Sequence, residues 1–238
     1  MLFRRIAFLF SSSLLILTTS NAQSQGSTVW EVHKTNPFRV SGDGTASNWN
    51  AATWLNLPQR NLHANVDLRS TRIKLLYTDS GIYCLYVCED PKITATLTED
   101  FADLFNEDVV EAFFWPSESE PIYFEYELSP LNYELPILVP NFKGNFLGWR
   151  PWHYEGNRRT QHAAKINREN GKIVSWTTEF YIPFILLKPL INSFPVAGSR
   201  WRANFYRMDY DKEELEWSWQ ETNTIFHDFK KFGTLLFR

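Results

Sequence analysis

At 238 residues, with 44% hydrophobic and 21% charged side chains, the chain is long enough for one sizeable core. A formal charge of −3 and the lack of any basic run exclude a nucleic-acid face and disfavour adhesion to a membrane surface. Nineteen Phe, ten Tyr and ten Trp make the chain 16% aromatic, more than a core of this size needs, so some rings are expected at a surface.

Arg4 and Arg5 precede an apolar run, Ile6 to Leu17, and Ser20-Asn21-Ala22 supplies a cleavage position, which reads as a secretory signal peptide over residues 1–22. The run is shorter than the ~20 residues needed to span a bilayer. No Cys follows the cleavage position, so a lipid anchor is not expected. Residues 23–238 are then one domain, secreted or periplasmic.

Thr28 to Val32 is the first strand, and the turn cluster from Ser41 leads to Trp49 and Trp54. Arg72 to Tyr77 and Gly81 to Cys88 form a hairpin across Asp79-Ser80-Gly81. The second of these strands is apolar on both faces and should be central, covered on both sides. Its cysteines, Cys84 and Cys88, lie about 13 Å apart along an extended chain, too far for a disulfide, and read as small buried hydrophobes. Glu89-Asp90-Pro91 ends the strand, and Ile93 to Leu104 carries Glu99, Asp100 and Asp103 on a loop or single helical turn.

Phe105 to Leu128 is the most informative stretch. Val110, Ala112 and Phe114 alternate on one run and Phe124, Tyr126 and Leu128 on the next, around a turn from Pro116 to Pro121, so a hairpin buries one face. Aligning the two apolar sets puts Glu111 opposite Glu127, Phe113 opposite Glu125 and Trp115 opposite Tyr123. Cross-strand carboxylates repel by ~0.2–1 kcal/mol, so a partner is expected: an arginine from Arg200, Arg202 and Arg207, a cation, or a hydroxyl-rich ligand.

Pro130 to Asn157 is irregular, with Pro136, Pro140, Pro151, Trp149 and Trp152, the two Trp residues being candidates for exposure. Periodicity returns at Lys172 to Ile182 and at Trp201 to Met208, and Glu216 to Gln220 and Phe232 to Phe237 close the chain. About ten short strands and few helix signals predict an all-β, antiparallel, jelly-roll-like β-sandwich.

The blocks EDPKITATLT (89–98), FNEDVVEAFFWP (105–116), YFEYELSPLN (123–132), TEFYIPF (178–184), WRANFYRMD (201–209) and FGTLLF (232–237) together resemble the family 9 carbohydrate-binding modules and related secreted proteins of polysaccharide-degrading bacteria. The resemblance runs from about Trp30 to the end. It implies a sandwich that holds a terminal sugar of a poly- or oligosaccharide between two aromatic platforms, with a carboxylate reading hydroxyls, in polysaccharide catabolism beside a glycoside hydrolase. Carried over by position, the first platform falls at Phe105 and the sugar-contacting Glu at Glu111. A family Arg falls at Glu125, an exchange of sign. The second platform falls at Trp219, or at Trp217 if the register differs by two. The family also implies structural calcium, for which no ligands can be assigned residue by residue.

Competing readings remain for each residue. Trp219 and Phe105 can equally be core, and Glu111 can be a sheet residue paired with Arg202 or Arg207. Glu111, Glu125 and Glu127 can be a glycosidase pair, whose carboxylates lie ~5–9.5 Å apart, although a flat sheet face lacks the enclosing cleft. Met208 can be a haem ligand, but no attachment motif is present. His33, His63, His153, His162 and His227 are scattered, and no nucleophile elbow appears.

Overall fold

The computed structural model describes residues 28–60, 62, 67–152, 154–223 and 225–238. The signal peptide, His63 and His153 lie outside the described residues. Fourteen strands are present among the described residues: β1 (Val29–Lys34), β2 (Leu55–Asn56), β3 (Thr71–Tyr77), β4 (Gly81–Glu89), β5 (Val109–Trp115), β6 (Ile122–Leu128) and β7 (Glu134–Phe142) in the first half. They are followed by β8 (Asn145–Phe146), β9 (Arg150–Pro151), β10 (Gln161–Glu169), β11 (Lys172–Pro183), β12 (Arg200–Asp209), β13 (Leu215–Ser218) and β14 (Gly233–Phe237).

They form two layers joined through β1. One runs β10-β11-β4-β3-β1 with β2 beside β3, and the other runs β1-β14-β12-β5-β6-β7-β8 with β13 beside β12 and β9 beside β7. The sandwich and nearly all-β content agree with the sequence reading, but the pairing is mixed. β1 lies parallel to β14 through Val29–Val32 and parallel to β3 through His33 and Lys34, so one short strand belongs to both sheets.

Alternation explains where the core sits. Tyr86 and Cys88 of β4, Trp176 and Phe180 of β11, Phe114 of β5, Phe124 and Tyr126 of β6, and Trp201 and Phe205 of β12 all meet between the sheets. The other face of β4 is covered as well, with Tyr83 and Leu85 under Trp49 and Phe38, which explains its two-sided apolar run. Cys84 and Cys88 are free and buried, and burial pushes the Cys88 thiol up to about 12. A second apolar layer lies on the outer face of β5, β6, β7 and β12, and this layer holds the candidate site.

The segment read as irregular contains β7, nine residues long and mostly buried. Pro136 and Pro140 had argued against a strand there. Their carbonyls accept from the Trp152 and Leu147 amides on the side away from β6, so the missing N–H groups face the short strands β8 and β9, where no regular ladder needs them.

Candidate functional site

The hairpin register is as the alternation requires. Glu111 faces Glu127 and Phe113 faces Glu125 across β5 and β6. With Phe124, Tyr126 and Leu128 committed to the inter-sheet core, the three glutamates point outward together. They form the floor of a pocket of about 340 Å³, together with Ile137 from β7, Met208 from β12 and Glu216 from β13. Met208 and Glu216 are cross-strand partners, so the floor crosses four adjacent strands, β13, β12, β5 and β6.

Loops make the walls. Phe105 sits on a 3-10 turn, Leu104–Asn106, and its carbonyl accepts a 2.8 Å bond from the Tyr210 hydroxyl. Asp108 fixes the same turn by accepting from the Thr94 amide at 2.5 Å and the Tyr210 amide at 2.9 Å. Trp149 meets Phe105 edge-on, with centroids 6.0 Å apart. Elsewhere around the rim Phe146 stacks on His227 at 4.1 Å, and Phe226 stacks on Tyr206 at 4.0 Å. The Tyr206 hydroxyl donates to the Phe226 carbonyl, which ties the wall to β12.

The electrostatics of the floor are unusual. Burial raises all three carboxyl pKa values, Glu111 to about 8, and their mutual repulsion adds to the rise at Glu125 and Glu127. Among the described residues no donor forms a hydrogen bond with Glu125 Oε2 or with either Glu127 oxygen. The Phe105 amide is near enough to relieve some of the Glu127 charge but is not aligned as a hydrogen bond. His227 Nδ1 lies 3.7 Å from Glu125 Oε2 but 2.7 Å from the Tyr123 hydroxyl. The shorter contact is the hydrogen bond, and burial lowers the His227 pKa to about 4, so the ring is neutral at neutral pH.

The expected arginine partners are elsewhere. Arg202 is on the outer face but opposite Trp115, at the far end of the strand, where it pairs with Glu118 and the Phe232 and Gly233 carbonyls. Arg207 follows Tyr206, the residue opposite Glu111, so alternation turns it inward to Asp90 and Asp209. The reading of Glu111 as an arginine-paired sheet residue is thereby corrected.

This arrangement has a consequence for stability. With their pKa values raised on folding, the floor glutamates hold protons that the unfolded chain has lost, between the ordinary glutamate value of about 4.3 and, for Glu111, about 8. Their contribution is therefore most favourable at the acid end and declines as pH rises through that window. Glu127→Gln is expected to raise stability at pH 7, where the buried carboxyl is penalised, and to have little effect near pH 4. Thermal melts at the two pH values check this, and a lower melting temperature at pH 7 would mean that Glu127 has a cationic partner.

Phe105 and Trp149 line the pocket half-buried, and Glu125 lines it from beneath, buried. Trp152, also expected at the surface, packs on the inter-sheet core and donates to the Leu186 carbonyl at 3.1 Å. The second platform is corrected too. Trp219 is 4% exposed and Trp217 fully buried, both inside the sandwich. Trp219 contacts Trp30 and Phe205, and its ring closes on Gly233, where an added Cβ would lie 2.5 Å from the indole. Phe146, Phe226, His227, Tyr210 and Glu216 were missed. Alternation along β13 could have found Glu216, while the loop aromatics follow no period.

Among the described residues, the groups that come nearest to a calcium or a haem site are already committed to other partners. Among the described residues Asp90, Asp209 and Asp211 converge as metal ligands would. Arg69 Nη1, however, lies 2.5 Å from Asp209 and 3.0 Å from Asp211, and Arg207 Nη2 lies 2.9 Å from Asp90, so guanidinium groups already neutralise these oxygens. The donor set does not fit an added divalent cation. Met208 lies on a carboxylate floor, and His227 is held by Phe146, Phe113 and Tyr123. That environment does not suit a flat apolar macrocycle. A larger depression of about 740 Å³ along Arg39–Ser41 and Thr160–Ala163 has no Phe, Tyr or Trp among its described lining residues, which offer no platform for sugar stacking.

Comparison with known proteins places this fold. The chain resembles a putative carbohydrate-binding protein from Bacteroides uniformis, with a TM-score of 0.71 and 18% identity over 90% of this chain and all of that one. It also resembles a carbohydrate-binding module of family 9 from Caldicellulosiruptor kristjanssonii. The cellotriose complex gives a TM-score of 0.63 and 15% identity over 88% of this chain and 93% of that one. The glucose complex gives 0.62 and 14%, over 88% and 95%. A search of curated proteins finds no significant match. The model of the carbohydrate family 9 binding domain-like family matches residues 40–238, and the chain belongs to that family.

Proposed function

We propose that the protein is a carbohydrate-binding module whose outer-face pocket takes a sugar. The observation that carries this reading is the combination of half-buried Phe105 and Trp149 with a polar floor in one pocket, on a chain of this family. A pyranose has an apolar C–H face that an aromatic ring covers, while its hydroxyls need polar partners. A pocket closed below and walled by loops suits the end of a poly- or oligosaccharide better than the middle of a long chain.

The hydrolase reading is weaker on physical grounds. A glycosidase separates its two carboxyls by environment, one held protonated and one ionised. Here burial drives Glu111, Glu125 and Glu127 in the same direction. Export through the segment 1–22 and action beside a glycoside hydrolase in polysaccharide breakdown complete the proposal. No helix among the described residues is long and apolar enough to cross a membrane.

Isothermal titration with gluco-, xylo- and amino-oligosaccharides, with reducing-sugar release followed in parallel, tests the reading. At least one sugar should bind without being cleaved. Binding of none would refute it, and release of new reducing ends would favour the hydrolase.

A further inference from the structure

A neutral sugar does not account for the whole of this floor. Glu125 is 3% exposed and Glu127 fully buried, both line the pocket, and apart from each other's carboxyl three of their four oxygens meet no donor among the described residues. Glu111 and Glu216 add further carboxyl groups to the same floor, and none of the described lining residues is Lys or Arg. His227, among the described lining residues the one able to become cationic, already has Nδ1 engaged with the Tyr123 hydroxyl. The nearby arginines have other partners, as described above.

We propose that the sugar this pocket selects carries a free amino group, held as an ammonium over Glu125 and Glu127. The proposal rests on the sugar-binding reading and names the class of sugar. A hydroxyl brings one donor and no charge, whereas an ammonium brings three donors and the opposite charge to oxygens that have neither. Without a cation these buried carboxyls keep their protons at neutral pH. An ammonium lets them ionise, releasing a proton to solvent and forming charge-assisted hydrogen bonds with the oxygens that have no outside donor. Phe105 and Trp149 suit the same ligand, because an aromatic face attracts a cation and covers a pyranose ring. N-acetylation would remove both the charge and two of the three donors.

Three β-1,4-linked disaccharides that differ only at C2 isolate the effect: the glucosamine disaccharide, cellobiose and the di-N-acetylated disaccharide. Titrated into the protein at neutral pH, the amine is expected to bind at least about tenfold tighter than the other two, a difference of about 1.4 kcal/mol. In Glu125→Gln and Glu127→Gln the ratio of affinities should fall toward one. Equal affinity for all three would overturn the inference and leave the sugar-binding reading standing, while binding of none would overturn both. An amine preference that survives both substitutions would place the ammonium elsewhere and refute the assignment. Cellobiose binding that requires added calcium, with no preference for the amine, would make a metal ion the missing cation. Methylamine binding as tightly as the disaccharide would show that the sugar ring is not recognised.

Discussion

Trp219→Ala is expected to destabilise the protein by about 3–5 kcal/mol, the usual cost of emptying a buried Trp site. In a domain of this size that lowers the melting temperature on the order of 10 °C. The ring lies between Trp30 and Phe205 and over Gly233, deep in the sandwich, so its removal leaves a cavity that the two sheets cannot close. Below the transition the variant should still bind sugar as the wild type does, because the pocket is on the opposite face of the sheet. A melting temperature within a few degrees of wild type, combined with loss of binding, would return Trp219 to the role of a stacking platform.

Arg207→Ala should be comparably damaging, about 3–5 kcal/mol, because it strips one member from a buried charge cluster. The guanidinium is fully buried and donates to Asp90 at 2.9 Å, Asp209 at 2.7 Å, Thr71 at 3.1 Å and the Glu89 carbonyl at 2.8 Å, with its plane over Trp217. Even with Arg207 present, burial pushes the Asp90 carboxyl up to about 6. Without it, Arg69 is the cation left beside Asp90 and Asp209 among the described residues, and Asp90 should gain a proton on folding at neutral pH. Arg207→Lys should recover only part of the loss, since a single ammonium cannot reach four acceptors on three sides. Denaturant titration measures both variants, and a loss below about 1 kcal/mol for Arg207→Ala would show the cluster to be structurally dispensable. Chelator is expected to leave the wild-type melting temperature unchanged, because these carboxylates already have guanidinium partners.

What the sequence disclosed and what it hid divides by the reach of local rules. Period-2 alternation in β5 and β6 was enough to set the register of Glu111, Glu125 and Glu127, since a slip of one residue would have buried every polar side chain. The same rule, applied to Leu215, Trp217 and Trp219 against Glu216, Ser218 and Gln220, assigns both Trp residues to the core. Matching by family position overrode it and put them at the surface. Arg207 was misread for another reason, as an arginine available to the glutamates, although Trp201, Ala203 and Phe205 on its strand already marked the inward face.

Other features lay beyond local pattern. β10 is a polar edge strand whose charges protect an open edge, so it carries no apolar period. Its signal was instead the Asn170-Gly171 turn into β11, where both residues adopt positive φ. β7 was hidden by prolines whose missing N–H groups face the two-residue strands β8 and β9 and not the long ladder with β6. The pocket walls, Phe146 at the end of the two-residue β8 and Trp149, Phe226 and His227 on loops, depend for their placement on the sheet beneath them. No spacing in the sequence records that dependence.

The central claim, that sugar binds on the outer-face pocket and not inside or beyond it, is tested most directly at Trp149. This ring is half-buried against Phe105 at the pocket wall and contributes little to the inter-sheet core. Isothermal titration of the best-binding oligosaccharide into Trp149→Ala is expected to show at least about a tenfold loss of affinity, equivalent to losing a stacking contact of about 1.4 kcal/mol. The melting temperature should remain within a few degrees of wild type. Unchanged affinity in a folded Trp149→Ala variant would contradict the account and place the sugar on another surface.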